Sequence, residues 1–558
     1  MSRRTLVAAL VSALGAALAL TGLTTAPAHA ATWPAPVVVA PATNDFNYRW
    51  DPRVVVTPDG TTVAAWHASG DDLDDAIAVA ERPPGGSWGA VESIATDALG
   101  LEDLAVGDDG TVALVFTTIV GGKLVVNASV HPPSGGWVAP VVLSDTTKTS
   151  TAAHVAVGAG GVTAVWVEGQ GAASKPMVNT RTLGAAGTWG SAITFVDAGV
   201  SGIDVATSAA GTLVTWLLSS DPTDSYAAST VRASFHGTTG SWLAPVSVSE
   251  TGRRTQVAEP AIGADGTMAV AWESRLPTTA GYYTSGRTQV AIQPSGGGWG
   301  PQALLSDPTI EARSPHVGVG PDGATTVVWE SYDGATYKVA TRLHRGGAWG
   351  PQTDLTQSVD SESFPQLALG PDGTAVVMSL NLDKGLAVAI RPPGSGWRPT
   401  DYIAPGVQAG YDRALGVGGG TVSVVWTSGN DYILMAVTAD HLLPLPPLPP
   451  AALSAQTGAI TGPAKIAKGK KAPYTFTGTP ASATFECRVD ETRHQQTGAQ
   501  GKKGKKPVPW QACTSPYKVK TKKLKQGKHT LYVRALLAGV PDPTPSAKKF
   551  KVRAKKGS

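Results

Sequence analysis

One unit recurs eight times along this chain of 558 residues. An apolar run ends in a turn usually written Asp-Gly, a second apolar run ends in Trp, a third follows, and a Gly-Gly-x-Trp turn leads into a fourth. The turn glycines are Gly60, Gly110, Gly160, Gly211, Gly266, Gly323, Gly373 and Gly420, close to fifty residues apart, with longer steps before Gly266 and Gly323. Four short strands per unit at this period predict an all-β chain folded as a β-propeller. Eight turns and eight Trp-led fourth strands predict eight blades; seven is the alternative, with one unit distorted. Propellers host many activities, so function has to be read from sites.

Unit six shows the pattern. Pro315 to Gly320 reads as strand one, Asp322-Gly323 as the turn, Ala324 to Trp329 as strand two and Tyr337 to Leu343 as strand three, before the Gly346-Gly347-Ala348-Trp349 turn. Asp and Gly suit a hairpin because both tolerate positive φ. Second-strand segments such as TVAAW and TTVVW are short and rich in β-branched residues, as buried inner strands are. Trp66, Phe116, Trp166, Trp216, Trp272, Trp329 and Trp426 close the second strands, and Ser379 breaks the rule in unit seven. Trp88, Trp137, Trp189, Trp242, Trp299, Trp349 and Trp397 close the third-to-fourth turns. Both series read as core. They stand inside the repeat, not in the variable loops where sugar-stacking aromatics would serve.

Unit eight stops after three strands. The missing Trp-led strand stands at the other end of the chain, in Thr32-Trp33-Pro34-Ala35-Pro36-Val37-Val38-Val39. This N-terminal strand is expected to complete the last blade and close the ring, removing exposed sheet edges. Ahead of it, Arg3 and Arg4, an apolar run from Leu6 to Leu20, and Ala28-His29-Ala30 read as a secretory signal over 1–30. No other stretch has the apolar length of a spanning helix. A secreted, extracellular protein with no transmembrane anchor is expected, free or associated with the cell surface. The propeller is assigned to 31–441, a Pro-rich linker containing LLPLPPLPP to 442–460, and a basic second domain to 461–558. Cys487 and Cys513 are the two cysteines; in an exported chain they read as a disulfide, with two separate thiols as the alternative. Charge divides along the same line. Ala451 to Ser558 carries 19 Lys and 4 Arg against 4 acidic residues, about +19, while the propeller is near −18. Such asymmetry bears on partners and solubility.

The first unit reads Tyr48-Arg49-Trp50-Asp51-Pro52-Arg53 ahead of VVVTPDGTTVAAW. This resembles the opening blade of the sialidase (neuraminidase) superfamily, where an Arg-x-Pro segment precedes an apolar strand and an Asp-Gly turn. The Gly-Gly-x-Trp turns stand where that family has its Asp-box, with Gly and Trp kept and Asp absent. The resemblance implies a propeller over roughly 31–440, although sialidase propellers have six blades. It also implies what the activity would need: three arginines on a substrate carboxylate, a Tyr–Glu nucleophile pair and an Asp acid. The loops joining strand two to three, and strand four to the next blade, share one face. That face is expected to carry Arg49, Arg53, Asp71, Asp72, Arg254, Glu273, Arg313, Glu330, Tyr411 and Arg413. A sialidase-type reading makes Arg49, Asp71, Arg254, Arg313 and Tyr411 catalytic. A binding reading makes Arg53, Glu273, Glu330 and Arg413 ligand contacts. Only Arg49 follows a family motif, with Trp-Asp-Pro after it where the family has Ile-Pro. Asp71, Asp72, Asp74 and Asp75 read as a solvated acidic loop, with Ca²⁺ as the alternative. No other metal or cofactor is expected, and the chain has no P-loop and no HExxH.

The tail carries a second resemblance. Thr484-Phe485-Glu486-Cys487-Arg488-Val489-Asp490, Trp510-Gln511-Ala512-Cys513-Thr514-Ser515-Pro516-Tyr517 and Gly527-Lys528-His529-Thr530-Leu531-Tyr532-Val533-Arg534-Ala535 are similar to the small bacterial Ig-like module of secreted and surface proteins. That implies a small β-sandwich whose two cysteines pair, here with a Lys-rich insertion from Glu491 to Pro509. No aromatic-interleaved nucleic-acid motif accompanies the lysines, so nucleic acid is not expected. An anionic cell-surface polymer or acidic glycan suits their field, a solubilising surface being the alternative. Together these readings describe a secreted, non-catalytic binding or docking protein whose propeller face takes a glycan, a cell-wall polymer or an extracellular protein. A sialidase-like exo-glycosidase and a structural surface scaffold are the alternatives.

Overall fold

The computed structural model describes residues 33–41, 48–69, 75–181, 187–224, 226–276, 285–358, 364–381, 384–404, 409–428, 433–440, 456–479, 483–490, 492–497, 502–537, 540–541 and 545–554. The segment read as a secretory signal and most of the segment read as a Pro-rich linker lie outside them. The chain divides into two compact units, one reaching Leu443 and one starting at Pro444. The described residues are overwhelmingly β-strand; the one helical turn among them is Gly171–Ala173.

The first unit is a succession of eight antiparallel sheets. Their first strands are Tyr48–Val56, Ala98–Val106, Ser150–Gly158, Val200–Ser208, Arg254–Ile262, Glu311–Val319, Gln366–Leu369 and Ala409–Gly418, which open sheets 1 to 8. Sheets 1 to 5 and 7 have four strands in chain order; in sheet 6, Thr353–Ser358 also pairs with Tyr337–Arg345. Each first strand packs beside the first strands of the neighbouring sheets, and the last packs against the first. The arrangement is a propeller-like ring. Sheet 8 takes its outer strand from the start of the chain, where Val37–Ala40 pairs antiparallel with Leu434–Ala439.

Second strands do not end at the aromatic residue as the sequence suggests. In sheet 6 the strand runs Thr325–Tyr332, three residues past Trp329. The extra residues are held by the ladder, since Glu330 and Ser331 pair with Arg313 and Ala312 at the start of the first strand. Between those pairs and the rest of the strand the register slips at a bulge. The slip recurs, with Asp51, Ala152, Gly202, Val257 and Ser314 at φ of 48°, 53°, 59°, 52° and 48°. A bulge bends the strand and re-aims the side chain that follows.

The aromatic series fills the space between sheets. Trp66, Phe116, Trp166, Trp216, Trp272, Trp329 and Trp426 are at most 1% exposed. Trp329 packs on Ala271, Val290 and Leu305 of the preceding sheet, and Trp216 on Val165, Val178 and Phe195. The second Trp series lies half-buried on the same clusters, Trp349 beside Trp329 and Trp242 beside Trp216. At the opposite end of the sheets the turn carboxylates of Asp59, Asp109, Asp265, Asp322 and Asp372 accept the N–H two residues on. Gly323 follows at φ 74°, and a Cβ there would stand 2.5 Å from Asp265 Oδ2, so position and conformation both require glycine.

The second unit has one larger sheet. Its order is Lys465–Ala467, Ser546–Arg553, Gly527–Leu537, Thr484–Val489, Gln511–Cys513, with the short Val540–Pro541 hairpinned onto Gly527–Leu537. Three small two-stranded pairs accompany it, among them Lys471–Tyr474 with Tyr517–Lys520. Ile466, Tyr474, Phe476, Cys487, Val519, Leu531, Val533, Phe550 and Val552 form its core, and Cys487 is disulfide-bonded to Cys513. Gln456–Thr457 pairs with Gly478–Thr479 and Ile460 is buried, so this unit begins before the linker assigned from sequence ends.

Each buried indole removes roughly 150–250 Å² from water. Trp329→Ala is expected to cost about 3–5 kcal/mol of unfolding free energy, read as a fall in denaturant midpoint with an unchanged slope.

Candidate functional site

Where the first strands start and the second-to-third loops gather, every sheet from 1 to 7 places a polar side chain at one register position, just after the bulge in sheets 1 to 6. Arg53, Asp103, His154, Asp204, Glu259, His316 and Gln366 each pair with the residue preceding the second-strand aromatic, or Ser379 in sheet 7. Sheet 8 has Ala414 at that register position. These residues link one sheet to the next. Arg53 Nη2 donates to the Glu102 carbonyl at 3.1 Å, and the Val155 N–H donates to Asp103 Oδ2 at 3.0 Å. His154 Nδ1 stands 3.5 Å from Asp103 Oδ2 and 3.6 Å from Asp204 Oδ1. His316 Nδ1 lies 2.8 Å from Glu259 Oε1, and Gln366 Nε2 donates to the Arg413 carbonyl at 2.8 Å. The result is an inner belt of charges crossing neighbouring sheets. Its histidine and carboxylate side chains keep 25–37% of their surface exposed, so the belt faces water while protein crowds it from the sides.

That crowding shifts protonation. Burial works against a charged His154, but Asp204 and Asp103 outweigh it and push the imidazole up to about 9. Burial pushes Asp204 up to about 7, with Glu259 and Asp103 adding to it against the pull of His154. His316 is also raised, Glu259 overcoming the opposing burial. Burial acts first on Asp103 too, but His154 and the Val155 N–H hold it below the usual carboxylate range.

The residues singled out in the sequence fall into separate roles. Arg49 is 4% exposed; its Nη2 donates to the Pro41 carbonyl at 2.8 Å, and its own carbonyl accepts from Thr427 of sheet 8. Arg313 Nε donates to Glu330 Oε1 at 2.6 Å, and Glu330 Oε2 accepts the Phe364 N–H of the next sheet at 3.1 Å. Glu273 repeats this role one sheet earlier: it accepts from Arg275 Nε at 2.5 Å and from the Ser314 backbone, and burial raises it above the usual carboxylate range. The two glutamates thus clasp the bulge of the following sheet. Asp71, Asp72, Asp74 and the Tyr411 side chain lie outside the described residues; Asp75 is 3.6 Å from His67 Nε2. Among the described residues no group of three His, Cys, Asp or Glu is placed to hold a metal ion.

Arg254 and Arg413 line two different cavities. One, of about 510 Å³, opens where sheets 3, 4 and 5 meet and is lined by Ser201, Leu217, Pro222, Asp224, Arg254 and Gln256, among others. The Arg254 guanidinium lies 5.2 Å from the centre of the Tyr226 ring, which is 61% exposed. The other, of about 410 Å³, is lined by Ser314, His316, Phe364, Pro365, Gln366 and Arg413. Arg49 and Arg313 line neither. Sequence reasoning named Arg53 but missed Tyr226, Gln256 and the other members of the inner belt. The belt's residue type changes from sheet to sheet, which hid it; the signal that could have found it is a constant place in the repeat, six or seven residues before the turn glycine.

No protein-family model matches the chain, and no curated protein matches it. Among solved structures it is similar to the BP39L lectin from Burkholderia pseudomallei (15% identity, 64% of this chain and 100% of that one, TM-score 0.40). It is also similar to the GH93 α-L-arabinofuranosidase of Fusarium graminearum (12%, 73% and 97%, TM-score 0.38) and to the intramolecular trans-sialidase from Ruminococcus gnavus (13%, 73% and 97%, TM-score 0.31).

Two predictions follow from these groups. His154 and Asp204 both bind a proton more tightly in the folded chain than in the unfolded one. Their stabilisation is complete below the unfolded values of about 6.5 and 4 and is lost as pH rises through the folded ones. The melting temperature is therefore expected to fall between pH 5 and 9, through about 7 and about 9; a flat or rising profile would count against this. His154→Gln should flatten the alkaline part. Glu330→Ala, which removes a buried carboxylate from Arg313 Nε and the Phe364 N–H, is expected to cost about 3–5 kcal/mol, measured by chemical denaturation.

Proposed function

We propose that this is an exported, non-catalytic carbohydrate-binding protein, an eight-bladed propeller followed by a basic Ig-like sandwich. The observation that carries the reading is the 510 Å³ cavity with Arg254 over the exposed Tyr226 ring. Its volume lies in the range of small-ligand sites, and its wall combines apolar surface with a few convergent polar groups. Leu217 and Pro222 offer the apolar contact, and Ser201, Asp224 and Gln256 offer donors and acceptors to hydroxyls. Arg254 brings a planar fork suited to a carboxylate, so an acidic sugar unit is the ligand class assigned to the cavity. Binding rather than turnover is favoured by how the other candidate arginines are used: Arg49 serves the junction of sheets 8 and 1, and Arg313 serves Glu330.

Calorimetric titration with uronic-acid and sialic-acid oligosaccharides tests this. Arg254→Ala and Tyr226→Ala are each expected to weaken binding about tenfold or more, equivalent to the ~1.4 kcal/mol or more of a lost charge-assisted contact. A fluorogenic sialoside run in parallel should remain uncleaved. Turnover abolished by Arg254→Ala would replace the binding reading with a hydrolytic one.

A further inference from the structure

The larger sheet of the second unit turns one face to its core and the other outward. Ile466, Phe550, Val552, Leu531, Val533 and Cys487 take the inner face. Alternation places Lys465, Lys528, Lys549, Lys551 and Arg553 on the outer one, all exposed. Lys551 sits directly opposite Lys465 on one side and Lys528 on the other, so three lysines form a row across three strands. Like charges directly opposed destabilise a sheet. Nothing in the packing of this face calls for them.

Toward the other edge of the same face, two guanidiniums lie against the Trp510 ring. Arg488 Cζ is 4.4 Å and Arg534 Cζ 4.5 Å from the ring centre, and Arg488 also lies 5.3 Å from the Tyr532 ring. Arg534 Nη2 is fixed by Glu486 Oε2 at 2.6 Å. The stack fixes two long side chains in defined planes, and that removes much of the ordering cost of binding an anion. The Arg534 fork is taken by Glu486, which accepts from its Nε at 2.8 Å and its Nη2 at 2.6 Å, so Arg488 is the guanidinium offered to carboxylate or sulfate oxygens, which accept two parallel hydrogen bonds.

We propose that this outer face binds a polyanionic polysaccharide, its anionic groups meeting the lysine row at one end and the arginine stack at the other. The site is independent of the propeller cavity. It is tested in the full chain carrying Arg254→Ala, so that the cavity contributes nothing. The probes are polygalacturonate for carboxylate, dextran sulfate for sulfate, uncharged dextran as the blank and a single-stranded oligonucleotide as the rival polyanion. Both acidic polysaccharides are expected to bind, to weaken steeply with salt as screened contacts do, and to raise the melting temperature of the protein. K549Q/K551Q and R488Q are each expected to weaken binding about tenfold or more, and R488K several-fold, because an ammonium lacks the fork. K549Q/K551Q changes two exposed positions and should leave the melting temperature of the unbound protein unchanged or higher. Binding that survives K549Q/K551Q and R488Q overturns the proposal. So does absence of binding to both acidic polysaccharides, or an oligonucleotide that binds more tightly than either of them. Preference between the two polysaccharides then names the anionic group.

Discussion

The second strand of every sheet in the first unit is buried on both faces along most of its length, and that one condition organises the rest. A strand such as Thr325–Tyr332 is buried along nearly its whole length, which an antiparallel sheet with one wet face would not allow. A sheet of this kind needs a neighbour on each side, and a row of them always leaves two faces bare. Joining the ends is the solution that leaves none. The wedged indoles, the borrowed outer strand of sheet 8 and the contact between the first and last inner strands all serve that condition.

Closure also sets where chemistry can stand. Inner strands brought side by side cannot all carry bulky apolar groups beside the bulge, and seven of the eight carry a polar one there. Histidine meets carboxylate across neighbouring sheets at Asp103, His154 and Asp204, and again at Glu259 and His316, so the belt ties sheets together through polar contacts as the indoles do by packing. The glutamates after the aromatic do the same through the backbone. Polar residues near the mouth of the ring include ones that hold it, such as Arg49, Glu273, Arg313 and Glu330, and ones that line a cavity, such as Arg254 and Gln256.

Much of the fold was legible because its signals are local and repeated. The Asp-Gly turns, the β-branched second strands and the stray Trp33 segment each follow from turn chemistry or strand pattern, and each stands in the structure where the repeat put it. The site was less legible. Glu330 and Arg254 look alike in sequence, two charged residues at loop bases, yet one is 1% exposed beneath a salt bridge and the other lines a cavity. The difference lies in the register shift beside Arg313 and in contacts with the next sheet, neither of which is written in the local pattern. Tyr226 escaped for the same reason, since its meaning comes from Arg254 on another sheet.

The pairing of Val37–Ala40 with Leu434–Ala439 joins residues about 400 positions apart. Sheets 1 to 7 are built from hairpins that can form as each stretch of chain becomes available, whereas the eighth must wait for both extremities. Local contacts form quickly and long-range ones slowly, because loop closure has to be met first. Assembly of this unit therefore has a built-in last step: the arc of finished sheets stays open until the chain's beginning returns to its end.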